Sequence, residues 1–165
     1  MTTPPDVLRA VFAHHLWATE RLIDHLGGLS RDRLDGAIPG TYGSILSTLT
    51  HLIDADERYL IRLSDPSPLS YEDGGARSLE ALRSDLREHA RRWDEALDLL
   101  ERGELRARIQ GREDYPAVDD AEGLLLLQAV HHGNDHRTQI SSTLGALGEE
   151  VPDLDGWTYW AEGRS

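Results

Sequence analysis

The most informative absence in this sequence is cysteine, of which its 165 residues contain none. Disulfides, thiolate nucleophiles and thiolate metal ligands are therefore excluded. Long hydrophobic runs are also missing, because the longest aliphatic stretch, 124–127, is far too short to span a bilayer. The N-terminus has no basic region followed by an apolar run, so no signal peptide is expected. We therefore expect a cytoplasmic protein without a membrane partner.

Basic residues are scarce relative to acidic ones. The 17 Lys and Arg residues stand against 30 Asp and Glu residues, which gives a formal net charge of −13. Such a surface repels nucleic-acid backbones and anionic lipid headgroups. The arginines of segment 83–92 are interleaved with acidic residues, a pattern typical of a salt-bridged helix side that faces solvent. We therefore expect no nucleic-acid partner.

Four long segments carry apolar residues at three- and four-residue steps, the period of an amphipathic helix. The predicted helices run from about Pro5 to Leu26, Ser44 to Leu63, Ser78 to Arg102 and Asp119 to Leu147. Ser78 is the expected N-cap of the third helix. Four such helices predict an all-α four-helix bundle, with residues 1–165 forming a single domain.

Two connections and a tail lie outside these helices. Residues 64–76 are rich in Pro, Gly and Ser, and the alternation in 105–109 would suit an extended segment. The short C-terminal tail, 151–165, is aromatic because it carries Trp157, Tyr159 and Trp160. We expect this tail to dock on the bundle, although it would also suit a pocket wall or a subunit contact.

The fourth helix carries the first chemical signal, the pair His132 and His136. Their i, i+4 spacing places both imidazoles on one face about one turn apart, so they can share one ion. That face also carries apolar residues, and both side chains are therefore expected to point inward. Two buried histidines, each hydrogen-bonded to a neighbour, would produce the same pattern, and the pair alone leaves both interpretations open.

A third candidate ligand, His51, lies midway along the second helix. Small side chains share its face and leave volume around the imidazole. These residues are Ser44, Ser47, Thr48 and Ala55. A close helix crossing would require the same small residues. The Leu and Ile stripe of this helix is rotated away from His51, which argues against its pointing at the same core.

Three neutral imidazoles favour zinc, nickel, copper or iron(II) over magnesium and calcium, which prefer oxygen ligands. Three protein ligands also leave a coordination position for water or substrate, as in catalytic metal sites. Hydrogen-bond acceptors that orient the rings are expected among nearby polar residues. The candidates are Asp54, Asp56, Asp135 and Gln139.

The other histidines and one tryptophan give weaker signals. His15 lies on the apolar stripe of the first helix, where a buried and hydrogen-bonded role is a simpler interpretation than a fourth ligand. Surface positions are expected for His14, His25 and His89. Trp17 faces away from the apolar stripe of its helix, which suggests a subunit contact.

Several segments together make the chain resemble the DinB-like superfamily, which includes metal-dependent enzymes of the YfiT type. The resembling segments are 15–22, 39–45, 49–52, 57–60, 131–140 and 151–157. The most specific feature is the string His-His-x3-His-Arg-x-Gln over 131–139, combined with His51. One departure is Thr19, which stands where the family often has Asn.

The resemblance implies an up-down-down-up bundle that binds a metal through His51, His132 and His136, and it implies a homodimer. Members with assigned activities are mostly thiol transferases or isomerases that use bacillithiol, mycothiol or glutathione. We therefore expect one divalent transition metal ion, with zinc or nickel as the first candidates. We also expect a small-molecule substrate, with a low-molecular-weight thiol as the cosubstrate.

Two functions remain open at this stage. One is a metal-dependent transferase or hydrolase, in which a thiol or water is activated for transfer to a small electrophile. The other is a non-catalytic bundle that binds a metal or a small ligand, because the sequence identifies no general acid or base beside the ion.

Overall fold

The computed structural model describes residues 3–64, 75, 77–111 and 116–163. Six helices form in this part of the chain, and four of them are long. They are α1 (Pro4–Leu26), α2 (Arg31–Leu34), α3 (Ile45–Ser64), α4 (Leu79–Glu101), α5 (Glu122–Ala146) and α6 (Gly156–Ala161). The only β-pairing among the described residues is one antiparallel bridge, between Ile109 and Val118. The predicted all-α class is confirmed.

The four long helices begin and end within three residues of the predicted bounds. Sequence reasoning missed the two short helices, α2 and α6. The alternation in 105–109 yields only the single bridge. The prediction for segment 64–76 falls almost entirely outside the described residues.

Local hydrogen bonds explain where the long helices begin. Thr3 and Asp6 form a capping box at the start of α1, and Pro4 occupies the first helical position. The predicted cap of α4 is confirmed, because the Ser78 hydroxyl accepts a hydrogen bond of 3.2 Å from the amide of Ala81.

Ion pairs between α1 and α4 show that these helices are antiparallel. Arg9 near the start of α1 pairs with Glu101 at the end of α4, at 2.5 Å. At the other end of both helices, Asp24 pairs with Arg83. The two contacts join opposite ends of the helices, so α1 and α4 run in opposite directions.

Contacts of α3 and α5 complete the topology. Glu57 of α3 pairs with Arg92 of α4, and Asp54 lies 3.1 Å from Arg77, just before α4, so α3 and α4 are parallel. Gly133 of α5 lies against His15 of α1, and four residues later on both helices Arg137 contacts Thr19. Both helices therefore advance in the same direction, and α5 is parallel to α1. The bundle is therefore up-down-down-up over α1, α3, α4 and α5, which confirms the expectation.

The core consists of two apolar clusters with a polar layer between them. In α1, Phe12 belongs to one cluster and Leu22 to the other, and the fully buried His15 lies between them. The same order occurs in α3, where the buried Asp56 separates Ile53 from Leu60. The polar layer therefore crosses the bundle at one level.

The aromatic tail docks on the bundle, as predicted. Its helix α6 places the Tyr159 ring 5.2 Å from the ring of Trp17, which is only 6% exposed. The prediction that Trp17 marks a subunit contact is therefore wrong, since the chain's own tail covers it. Trp157 and Trp160 remain mostly exposed.

The predicted surface position of His89 is also wrong. Its side chain is 3% exposed and its Nε2 lies 3.0 Å from Glu57. Leu82, Leu86 and Trp93 are buried at helical spacing on the same side of α4, and the charged neighbours of His89 obscured this pattern. None of the helices described is long and apolar enough to cross a membrane.

Candidate metal centre

Three imidazoles from two helices converge where α3 packs against α5, the pair of helices with the most extensive contact. The Nε2 atom of His132 lies 3.2 Å from Nε2 of His51 and 3.0 Å from Nε2 of His136. One ligand atom from each residue lies within 4.8 Å of the others, so the three could hold a metal ion. The structure therefore brings together the three residues predicted from the sequence.

The separations of the nitrogen atoms fit a shared ion. Two nitrogens that each lie about 2.0–2.1 Å from one zinc-like ion are separated by about 2.8–3.4 Å when the angle between the two bonds ranges from 90° to tetrahedral. The two measured Nε2 separations, 3.2 and 3.0 Å, fall in this range. No acidic side chain of the described residues belongs to the group.

The site lies at the edge of the helix interface rather than in the core. His136 is buried, whereas His51 and His132 are half-buried. The expected inward orientation of the α5 pair is thus complete for His136 and partial for His132. His51 contacts α5 although it lies outside the apolar stripe of its own helix. The rotation of that stripe away from His51 therefore does not prevent the contact.

Burial favours the neutral form of the α5 pair, and this is the form that binds metal. Burial lowers the pKa of His132 to about 4, with further lowering from neighbouring His136 and His51. Burial also lowers the pKa of His136, partly offset by a hydrogen bond with Gln139. Protons therefore compete only weakly for these two imidazoles near neutral pH.

Two tyrosines flank the histidines, and sequence reasoning had assigned neither to the site. The Tyr42 ring stacks on His51, with ring centroids 4.0 Å apart. Its backbone amide donates a 2.8 Å hydrogen bond to Gln139, which ties the loop before α3 to α5. The Tyr59 ring meets His132 edge-on at 6.0 Å, and burial raises the pKa of its phenol. Both contacts arise from tertiary packing.

The four predicted acceptors behave differently from one another. Gln139 forms a hydrogen bond with a proposed ligand, His136, whereas Asp135 and Asp56 act on His136 and His132 through their charge. Asp54 pairs with Arg77, and the exposed Asp135 lies 3.6 Å from His131, on another side of α5. The fourth candidate, Asp56, belongs to the buried polar layer.

That layer is centred on His15, which is fully buried and is not part of the histidine group. Its Nε2 lies 2.8 Å from Oδ2 of Asp56, and its Nδ1 lies 3.3 Å from Nη1 of Arg137. Because a guanidinium only donates, Nδ1 accepts and Nε2 donates its proton to Asp56. The interpretation of His15 as a hydrogen-bonded buried residue agrees with this structure.

Arg137 is the buried cation of the layer. Its Nη1 also donates to the Thr19 hydroxyl at 2.9 Å and to the backbone oxygen of His15 at 3.2 Å, while Nη2 donates to Asn134 at 2.6 Å. Burial lowers its pKa to about 10, and nearby Asp56 opposes this effect. Thr19, the position at which the chain departs from the family pattern, thus has a polar role here.

Comparison with known proteins identifies one family. The model of the DinB family matches residues 1–164, nearly the whole sequence. No curated protein matches the chain. The matched region includes the α3 and α5 segments that carry the three histidines.

Proposed function

The chain belongs to the DinB family, and from this membership together with the histidine cluster we propose that it is a metal-dependent enzyme acting on a small molecule. The observation that carries the proposal is the convergence of three Nε2 atoms from His51, His132 and His136. The proposed reaction is transfer of a low-molecular-weight thiol, or of water, to a small electrophile.

The donor set supports a divalent transition metal, with zinc or nickel as the first candidates. All three donors are imidazole nitrogens, which suit these metals better than magnesium or calcium. An ion held by three protein ligands keeps a position for an exogenous ligand and lowers the pKa of a water or thiol bound there. Because the protein has no cysteine, the thiol would come from a separate molecule.

Charges of both signs act on the site. Asp56 raises the pKa of both His132 and Tyr59 through its negative charge, and Arg58 opposes it at both residues. Arg62 also opposes Asp56 at Tyr59. The surrounding charges therefore do not by themselves select a ligand of one sign.

We assign the role of proton donor in this proposal to the Tyr59 phenol, which also forms a hydrogen bond with Gln128. Burial raises its pKa, so the group stays protonated and able to donate a hydrogen bond at neutral pH. Its ring also contacts His132 directly. Tyr42 would form the opposite wall by stacking on His51, and its partial exposure leaves it accessible to a substrate.

Metal content tests the proposed site. Protein purified without chelators should carry close to one transition-metal equivalent, and alanine at His51, His132 or His136 should each lower that content sharply. His131→Ala is the matched control, because this exposed histidine is adjacent to His132 but outside the cluster. Full occupancy in the His132→Ala protein would refute the site.

A non-catalytic metal-binding bundle is the second candidate, and one observation favours it. No carboxylate among the described residues belongs to the histidine group, so no acidic general base is identified directly at the proposed ligands. Metal-loaded protein should be tested for conjugation of thiols to small electrophiles. Metal-dependent consumption of the thiol would support the enzyme, and a Tyr59→Phe variant would test the proposed donor. The predicted homodimer, single domain and cytoplasmic location stay predictions.

A further inference from the structure

The residues that follow the two α5 histidines both contact the same side chain of α1. Gly133 follows His132 and Arg137 follows His136 in the sequence. Both lie against His15, which is fully buried. The histidine cluster and the polar layer are therefore adjacent on one helix.

The contact at Gly133 is closer than any other residue type would allow. A Cβ atom built at this position would lie 2.4 Å from Cε1 of His15 and 2.7 Å from its Nδ1. The imidazole therefore occupies the space that a side chain at position 133 would need. This explains a glycine in the middle of a long helix, where it otherwise costs stability.

The contact at Arg137 is polar and fixes the next turn of α5. Its Nη1 donates to the backbone oxygen of His15, to the ring Nδ1 and to the Thr19 hydroxyl. Successive residues of an α-helix differ by about 100° in direction. A contact that holds residues 133 and 137 against α1 therefore also sets the directions of 132 and 136.

His15 reaches α3 as well, through the 2.8 Å contact between its Nε2 and Asp56. Asp56 lies on the same helix as His51, five residues later. One imidazole thus connects α1 to both helices that carry the proposed ligands. Hydrogen bonds to a charged partner in a buried setting are strong and geometrically demanding.

We propose that His15 is a positioning residue, which holds α3 and α5 at the separation and rotation that bring His132 and His136 to His51. This inference rests on the proposed metal-binding function. His15 itself does not bind the ion, because it lies outside the histidine group and both its ring nitrogens already have partners.

Cobalt(II) is the probe for the test, since its visible absorption reports the geometry of the ligands directly. Zinc affinity is measured in parallel by competition with a chromophoric chelator. His15→Ala should weaken zinc binding about 2- to 30-fold, the range found for residues that act on a site without contacting its ligand, and should change the cobalt spectrum. His15→Gln, which can accept from Arg137 and donate to Asp56, should restore much of the affinity.

His89→Ala is the matched control. Its imidazole is as buried as that of His15 and also contacts a carboxylate of α3, Glu57, but it lies on α4 and not against α5. The control should lose stability yet keep wild-type zinc affinity and cobalt spectrum. Equal losses of affinity in both variants would overturn the inference, because instability alone would then explain them.

A second pair of variants covers the case in which His15→Ala does not fold. Gly133→Ala pushes a methyl group against the His15 ring, whereas Gly123→Ala places one in open space on the same helix. Only the former should weaken zinc binding. Wild-type affinity and spectrum in Gly133→Ala would refute the role of His15. Wild-type protein that binds neither metal would instead refute the proposed function itself.

Discussion

The helix-interior glycine at position 133 gives a sharp test of the packing described for α5. Gly→Ala in an unobstructed helix interior stabilises a protein by about 0.5–1 kcal/mol. At Gly133 the new methyl group would lie 2.4 Å from Cε1 of His15, so the ring would have to move by about 1 Å to reach an ordinary contact distance. The substitution should therefore destabilise the protein.

Two costs set the magnitude of that effect. Forcing an extra methyl group into a close-packed interior costs about 1–3 kcal/mol. Displacing His15 also weakens its 2.8 Å hydrogen bond with Asp56, and the loss of such a bond to a charged group costs about 1.5–3 kcal/mol. After subtracting the gain in helix propensity, we expect a net loss of about 1.5–5.5 kcal/mol, or about 3–22 °C in melting temperature for a chain of this size.

Thermal unfolding followed by circular dichroism measures this loss. The protein should be kept in EDTA, because a bound ion would stabilise the folded state and mask part of the effect. Gly123→Ala is the control, since no atom lies within 4 Å of the added methyl group. It should be unchanged or more stable by up to about 1 kcal/mol. A Gly133→Ala protein as stable as this control would show that His15 does not pack as described.

Two further predictions concern charge and capping. Burial lowers the pKa of His132 in the folded protein to about 4. As the pH falls below about 6.5, the unfolded chain therefore binds a proton at His132 before the folded protein does. The metal-free protein should therefore lose stability between pH 6.5 and 4, by about 1 kcal/mol at pH 5 after allowing for partial exposure of the ring. Urea unfolding should show a smaller loss in His132→Ala, and an identical loss would contradict the assignment. Ser78→Ala should cost about 1 kcal/mol by removing the cap of α4, whereas Ser84→Ala, within that helix, should cost nothing, and equal effects would disprove the capping role.

Local sequence signals predicted the helices well. Apolar periodicity and the cap at Ser78 depend on residues a few positions apart, so both can be predicted from the sequence without knowledge of the fold. The spacing of His132 and His136 is a signal of the same kind. His51 is different, because the nearer of the two other histidines, His132, lies 81 residues away in the sequence. Family resemblance, more than its small neighbours, placed it in the site.

Tertiary contacts account for what the sequence did not reveal. His15 meets Asp56 across 41 positions and Arg137 across 122, and no local pattern links them. Tyr42 stacks on His51 from a loop that is hydrogen-bonded to Gln139 of α5. The burial of Trp17 depends on the tail, whose short helix was not predicted. Each of these contacts joins elements that are distant in the sequence, and periodicity cannot specify such pairings.

The polar layer between the two apolar clusters restricts which bundle the chain can form. Leucine-rich helices tolerate sliding past one another, because one apolar contact resembles the next. A slide of α5 by one turn, about 5.4 Å, would separate Arg137 from His15 and Thr19 and leave a buried cation facing apolar side chains. Correctly aligned helices give Arg137 its partners His15 and Thr19. The layer thus discriminates among alternative alignments of the same helices, much as a single buried polar residue fixes the register of a coiled coil.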